Sequence, residues 1–408
     1  MCPTCLKFCA DDLSLNGIYI LDRAGVIDLR KLFNIVVLIL LLSGLWYGYG
    51  KDIQESGFKA GVSAFASDVR SFINGPEVST ALEKLSTGVS SLIGSLSETL
   101  DTASEKELQE TEKVKKPALE APADASFSVR NIEIGDTKDD VEKLAGKAKR
   151  NTRNEYGVDW FAYHENYQNF FMVAYDNNNK VVGLYTNQDL ISSKEGIKRG
   201  TPKETVTGKM GEPVTKLLKG NVYYQIRSDS GEYDMFEMDN SYVTIFYDKH
   251  EKNTVTAIQI IDAKLEKQKS GYFAEAGPGL KKGFEYQLFD LTNASRVNHE
   301  LSVLSWDKQV KVTAQDHSSD MAVNQYFNHT NLEGESPFDR MEDDKINFRM
   351  AGENLAAGQN SSIFAHEGLM NSIGHRENKL QKDFESLGVG VAFDEEDKPY
   401  YTENYLTK

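Results

Sequence analysis

A chain of 408 residues is too long for one ordinary hydrophobic core and predicts two or three domains. Apolar residues at 40% and aromatics at 10% suffice to fold much of it. With 46 Lys and Arg against 62 Asp and Glu the formal charge is −16, which argues against nucleic acid and bare anionic lipid as partners.

Residues 1–31 read as a cytoplasmic N-terminus. All three cysteines, Cys2, Cys5 and Cys9, lie here, so no disulfide can form further on. An exported chain without disulfides suits a Gram-positive bacterium. The run from Leu29 to Phe33 looks like the natural start of a short basic leader, so translation is expected to begin later than Met1. From Leu32 to Tyr49 the chain is apolar except for Asn34 and Ser43, about the length that crosses a bilayer core as a helix. Arg30 and Lys31 precede this span and Trp46, Tyr47 and Tyr49 end it, which puts the N-terminus inside and the rest outside. No small-residue cleavage site follows, and Leu45 stands where a lipobox needs cysteine. Residues 32–49 are therefore expected to be an uncleaved signal anchor, with a cleaved signal peptide as the alternative.

Residues 50–125 read as a stalk and linker. Phe58, Val62, Phe65, Val69 and Phe72 recur at helical spacing, as do Leu82, Leu85, Val89, Leu92 and Leu96, with a break at Asn74-Gly75-Pro76. These amphipathic stretches could pair as a coiled coil, pack together or lie on the membrane face. From Asp101 to Ala125 the composition turns charged and Pro/Ala-rich, as in an extended linker.

Residues 126–265 contain a repeat. Gly135, Val141 and Gly146 recur as Gly200, Val206 and Gly211, 65 residues later. Each copy predicts a short helix, capped at Asp136-Thr137 or Thr201-Pro202, and then a hairpin. The hairpins are Phe170–Tyr175 with Val181–Tyr185, and Tyr242–Tyr247 with Val255–Ile261. The repeat and its place in the chain resemble the CAP-associated N-terminal domain that precedes CAP domains in bacilli and their relatives. No catalytic constellation appears here. His164 and His250 are isolated and read as surface or strand-edge residues. Tyr156, Trp160, Phe161, Tyr163 and Tyr167 read as core, with a binding groove as the alternative.

Residues 283–408 carry the acidity, with 11 Lys and Arg against 22 Asp and Glu from Phe284 onward. A helix is expected from about Tyr286 to Glu300. A second places Val310, Ala314, His317 and Met321 on one apolar face, so His317 reads first as a hydrogen-bonded core histidine. Leu387, Val389, Val391 and Phe393 alternate as a half-buried strand, and Asp394–Pro399 turns it into a hairpin. His299 and His366 read as surface residues.

Four blocks in this region, Tyr326–Thr330 (YFNHT), Gly352–Ala356 (GENLA), Asn371–Arg376 (NSIGHR) and Leu387–Phe393 (LGVGVAF), together resemble a bacterial CAP domain (cysteine-rich secretory protein, antigen 5 and pathogenesis-related 1; SCP-like) over nearly its full length. The resemblance implies an α+β chain ending in a three-layer α/β/α sandwich, its three- or four-stranded antiparallel sheet between helices. It also implies a cleft where His329, Glu353 and His375 meet. Better-known eukaryotic members carry a second glutamate where this chain has Ser372, and a tryptophan where it has Leu369.

Several chemistries stay open for the cleft. Two imidazoles and a carboxylate are a reasonable partial ligand set for Zn²⁺ or another divalent ion, with an open position for water. Glu353 could instead orient one imidazole, or simply tie loops together with the histidines as its donors. Ser372 as nucleophile with His375 as base has no acidic orienter or oxyanion motif in the sequence. The expected function is a membrane-anchored extracytoplasmic module, held off the membrane by its stalk and spacer domain. It would bind an envelope lipid, wall polymer or protein through His329, Glu353, Ser372 and His375. The alternative is a metal-dependent, peptidase-like hydrolase using His329, His375 and Glu353; no HExxH or nucleophile elbow supports it.

Overall fold

The computed structural model describes residues 113–226 and 231–408; the apolar span at 32–49 and the stalk periodicities lie outside the described residues. Among the described residues no helix is long and apolar enough to cross a membrane. The end of the expected linker, 113–125, has no helix or strand, yet it is tied down. The backbone N–H groups of Ala123, Asp124 and Ala125 all donate to the Glu133 carboxylate, and Leu119 packs on the neighbouring core.

The region that follows contains β1 (Phe127–Val129), α1 (Lys138–Ala145), β2 (Arg150–Arg153), β3 (Asp159–Glu165), β4 (Gln168–Tyr175), β5 (Val181–Thr186) and β6 (Ile191–Ser193). It continues with α2 (Lys203–Met210), β7 (Lys216–Lys219), β8 (Val222–Gln225), β9 (Tyr233–Met238), β10 (Ser241–Asp248) and β11 (Thr254–Asp262). The two short helices enter their hairpins through matching bonds. Gly135 N donates to Val181 O and Gly200 N to Val255 O, both at 2.8 Å. Lys138 N likewise meets Asn179 O at 2.9 Å, and Lys203 N meets Asn253 O at 3.0 Å. The Thr137 hydroxyl caps α1, whereas Pro202 holds the cap position of α2 without a side-chain bond. One antiparallel sheet, β2-β3-β4-β5-β11-β10-β9, unites the two halves across the β5–β11 pair. Val141 and Val206, the inward residues of the repeat, are fully buried on one face of it. Of the five aromatics read as core, Trp160 and Tyr163 are buried at 1% exposure, while Tyr156, Phe161 and Tyr167 are half-buried against the two apolar cores.

The C-terminal region contains α3 (Ala263–Gln268), α4 (Pro278–Asn298), β12 (Ser305–Trp306), α5 (Lys308–Asn324) and α6 (Pro337–Asp343). Then come β13 (Met350–Ala357), α7 (Ser362–Asn371), α8 (Ile373–Lys379), β14 (Ser386–Phe393) and β15 (Pro399–Thr407). The sheet order is β12-β14-β15-β13. The β14, β15 and β13 strands are antiparallel, but β12 lies parallel to β14, so the expected antiparallel sheet has one parallel edge pair.

Helices α4 and α7 cover one face of this sheet, packing Phe284, Leu288 and Leu369 against Leu387, Val389 and Val391. Helix α5 covers the other face, over Gly388 and Gly390. A Cβ on either glycine would meet the α5 backbone, at 2.3 Å from Lys311 N and 2.2 Å from Ala314 C. The alternation that predicted a half-buried strand is therefore real, but both faces are covered, one by side chains and one by helix backbone.

Helix α4 begins at Pro278, eight residues before the expected Tyr286. Gly279 and Gly283 lower its helix propensity and hide this first part from pattern reading. Gly283 has a packing reason: a Cβ there would lie 1.9 Å from Arg153 O of β2. The two regions meet along this helix and share a core. Trp160, Phe170, Phe246 and Ile261 from the large sheet pack with Leu291 and Ala294 of α4 and Ile363 of α7.

Candidate functional site

Three segments bring the expected cleft residues to one place. His329 lies on the irregular stretch between α5 and α6, Glu353 on β13, and Ser372 and His375 at the junction of α7 and α8. Chain order cannot hold the first stretch in place, so side chains do. The buried His317, on α5, donates from Nε2 to Asn328 O at 3.0 Å. Arg340, on α6, donates from Nη1 to His329 O at 2.8 Å and to Glu335 O at 3.0 Å. His317 is thus the hydrogen-bonded core histidine its position on the apolar face predicted, and burial lowers its pKa.

Glu353 is the hub on this side. Its side chain is 1% exposed, and each carboxylate oxygen has a partner. Oε1 accepts from His329 Nδ1 at 2.9 Å and Oε2 accepts from Arg340 Nη2 at 2.7 Å. Because the carboxylate can only accept, His329 Nδ1 is the donor in this bond. Arg340 escaped sequence reading. Nothing in linear spacing says that a residue 13 positions before Glu353 will face it.

His375 does not touch Glu353. Its Nδ1 lies 2.8 Å from Ser372 Oγ, so the hydroxyl at the position of the family's second glutamate orients this imidazole. Burial, and secondarily the nearby His329, lower the His375 pKa to about 4, keeping the ring neutral at ordinary pH. The floor beneath is stitched by amides. Asn354 Nδ2 donates to His375 O at 3.0 Å, and Asn378 Nδ2 donates to Asn354 Oδ1 at 3.0 Å and Glu353 O at 3.2 Å. Below these lies an ion pair with no solvent access, Lys379 Nζ to Glu403 Oε1 at 2.5 Å, to which Tyr405 adds a hydroxyl donor at 2.7 Å.

Among the described residues, no group of three or more His, Cys, Asp or Glu side chains is arranged to hold a metal ion. At Glu353 both carboxylate oxygens are already engaged, Oε1 by His329 and Oε2 by the Arg340 guanidinium. As arranged, the residues do not fit a His₂Glu ligand set, and Glu353 acts as the carboxylate that orients His329. Ser372 and His375 are within hydrogen-bond reach, but the second imidazole nitrogen has no carboxylate partner among the described residues.

Phe327, Leu332 and Ile373 flank the cleft residues in sequence and are 54%, 63% and 50% exposed. The remaining histidines lie elsewhere. His164 stacks on Tyr167 at 4.1 Å between centroids. His250 Nε2 donates to Asn371 O at 3.0 Å. His366, expected at the surface, is fully buried with Nε2 at 2.8 Å from Ser295 Oγ, and His299 is half-buried against Arg376. Both were misread because the large-sheet region covers the face of α4 and α7 that a single domain would leave in water.

Comparison with known proteins agrees with this architecture. Residues 134–272 match the CAP-associated N-terminal family model, and residues 289–405 match that of the cysteine-rich secretory protein family. An uncharacterized membrane protein of Bacillus subtilis (strain 168), YlbC, is 31% identical over 295 residues, covering 67% of this chain and 82% of the relative. A second uncharacterized protein of that organism, YkwD, is 34% identical over 133 residues, 33% of this chain and 51% of its own. The crystal structure of an extracellular SCP-domain protein from Bacillus anthracis str. Ames aligns with TM-score 0.59 and 28% identity, over 72% of this chain and all of that one. A cysteine-rich secretory protein from Staphylococcus aureus subsp. aureus Mu50 shares the fold at TM-score 0.56 and 15% identity, over 71% of this chain and 98% of that one. The chain belongs to the bacterial CAP family, with a CAP-associated N-terminal region ahead of its CAP domain.

Proposed function

We propose that this is a membrane-anchored, extracytoplasmic protein whose CAP cleft binds a cell-envelope ligand (a lipid, a wall polymer or a partner protein) rather than catalysing a reaction. The observation that carries this reading is the contrast between floor and rim. Glu353 has both oxygens committed inside the protein, and His375 is oriented by a hydroxyl, while Phe327, Leu332 and Ile373, within three residues of His329 or His375 in the chain, are exposed and are taken as the rim. Exposed apolar groups next to a carboxylate whose two oxygens are already paired suit recognition of an amphipathic surface more than proton transfer. Residues 32–49 would supply the anchor, and the Bacillus relative named as a membrane protein supports that placement. The matching hydrogen bonds of the two helix-and-hairpin units support an origin of residues 126–265 by duplication.

The second reading is the metal-dependent hydrolase. It requires Glu353 to leave Arg340 and join His329 and His375 around Zn²⁺ or another divalent ion. Elemental analysis and calorimetry with Zn²⁺ alone, on the full chain and on His329→Ala and His375→Ala, separate the two. No stoichiometric metal is expected. One ion per chain, lost in both variants, would overturn the binding-only reading.

A further inference from the structure

The α7–α8 junction breaks at Ser372, whose extended backbone (φ −96°, ψ 118°) separates Asn371 from Ile373. The residues on either side of the Ser372–His375 segment are held from outside the CAP domain, and Arg376 is held in addition within it, by Met370 O at 3.3 Å and His299 Nε2 at 3.2 Å. Asn371 Nδ2 donates to Tyr247 O at 2.9 Å, and its Oδ1 accepts from Lys249 N at 2.9 Å. The Asn371 backbone carbonyl accepts from His250 Nε2 at 3.0 Å. Arg376 Nη1 donates to Asp248 Oδ2 at 2.7 Å. Every one of these outside partners belongs to residues 247–250, at the end of β10 and in the turn after it. Asp248 also shapes that turn, accepting at Oδ1 from His250 N at 2.8 Å and Glu251 N at 3.1 Å.

We infer that Asp248, Asn371 and Arg376 are positioning residues for the cleft, through which the CAP-associated region fixes the helix junction that presents Ser372 and His375. The inference rests on the reading of that cleft as a binding site. Two features favour it over general adhesion between the regions. First, adhesion has another source, the shared apolar core around Trp160, Phe246, Leu291 and Ile363. Second, Asp248, Asn371 and Arg376 are 6%, 6% and 8% exposed, and a buried ion pair of this kind adds little net stability while fixing geometry closely. The lever is short. Arg376 N donates to Ser372 O at 2.8 Å and His375 Nδ1 lies 2.8 Å from Ser372 Oγ, so a turn of the junction swings the imidazole relative to Glu353.

The test uses the full chain, labelled at its seven histidines with ¹⁵N, together with amide hydrogen exchange. Asp248→Ala and Asn371→Asp are expected to move the His375 ring signals at constant pH. Both should speed exchange of the 372–376 amides at least about tenfold more than elsewhere in the chain. Arg376→Ala should move the same signals, and Arg376→Lys, which keeps a donor for Asp248, should retain much of the native signature that Arg376→Ala loses. Asp290→Asn serves as the interface control. It alters the contacts of Asp290 with Tyr167 and Arg150 and should leave the His375 signals in place. Unmoved His375 signals in Asp248→Ala and Asn371→Asp, with exchange rising uniformly, would overturn the inference, as would an equal response to Asp290→Asn. If Asp248→Ala fails to fold, Asn371→Asp and the two Arg376 variants decide alone. No ligand enters the measurement, so its outcome is independent of whether the cleft is shown to bind anything.

Discussion

The two histidines of the cleft arrive by different routes and do different physical work. His329 sits on an irregular segment, its side chain 49% exposed, and donates to a carboxylate that a guanidinium also holds. His375 sits on a short helix, half-buried, bonded to a hydroxyl, and its flanking residues are tied to the other region of the chain. One wall is fixed by charge within the CAP domain; the other is fixed by neutral hydrogen bonds and by interdomain contacts. The cleft is thus asymmetric although its two side chains are alike, and each wall can be loosened separately.

The largest effects should come from the buried charges under each wall. Arg340→Ala strips Glu353 of its guanidinium and two backbone carbonyls of their donor. We expect a loss of about 3–5 kcal/mol in denaturant unfolding, as when one partner of a buried pair is removed. Lys379→Met should cost about as much by stranding Glu403. Adding Glu403→Leu should recover most of that loss. A double variant no more stable than the single one would show that Glu403 is held by Tyr405 and Asn354 instead.

Ser372→Ala comes next. It deprives the His375 imidazole of its partner, and we expect about 1–3 kcal/mol of destabilisation. A null result would mean that water replaces the hydroxyl, and that the orientation of His375 depends on the interdomain contacts alone.

The same asymmetry has a pH signature. The His375 pKa in the folded chain is about 4, below the ordinary value of 6.5. Between these values the unfolded chain binds a proton that the folded chain does not. Stability is therefore full above pH 6.5 and falls as the pH drops toward 4, by at most about 1.4 kcal/mol per unit for this one group. His164, also lowered to about 4 by burial, contributes in the same window. His375→Gln should make the urea-midpoint profile less steep between pH 6.5 and 4, leaving the slope due to His164 and to the buried His317 and His366, set against the buried carboxyls of Glu155, Asp290 and Glu367, whose raised pKa values act in the opposite sense. A profile as steep as that of the parent chain would assign the titration elsewhere.

Much of this was legible in the sequence where local pattern and local structure coincide. The Gly-Val-Gly repeat gave two short helices and their hairpins because the same backbone bonds close each unit. The blocks around His329, Glu353 and His375 pointed to one cleft through their resemblance to CAP domains, and the structure brings the three together from an irregular stretch, the middle of β13 and the first turn of α8. What was hidden depended on partners distant in sequence. Helix α7 buries His366 and Glu367 as well as Ile363 and Leu369, so no periodicity marks its outer face. Tyr185 of β5 donates to Glu367 at 2.6 Å, across 182 residues. The pairing of Arg340 with Glu353 was invisible for the same reason, and of the roles left open for the carboxylate that pairing favours the orienting group over the metal ligand.

The smallest expected effect on stability bears most directly on function. Phe327, Leu332 and Ile373 are more than half or just half exposed, so Ser substitution at each should change stability by no more than about 0.5 kcal/mol. If they form the rim of a binding cleft, the triple variant should lose association with envelope material, read as co-sedimentation of the chain with purified cell wall or with lipid vesicles. The two probes sort the ligand class. Retained sedimentation with both would move recognition away from the rim. Loss with only one would name the surface that the apolar groups meet. The His375 side is the sharper half of this test, because Ile373 lies between Ser372 and His375 on the junction held by Asp248. Ile373→Ser alone should weaken association more than Leu332→Ser if that junction presents the ligand, and equally if the rim acts only as a greasy patch.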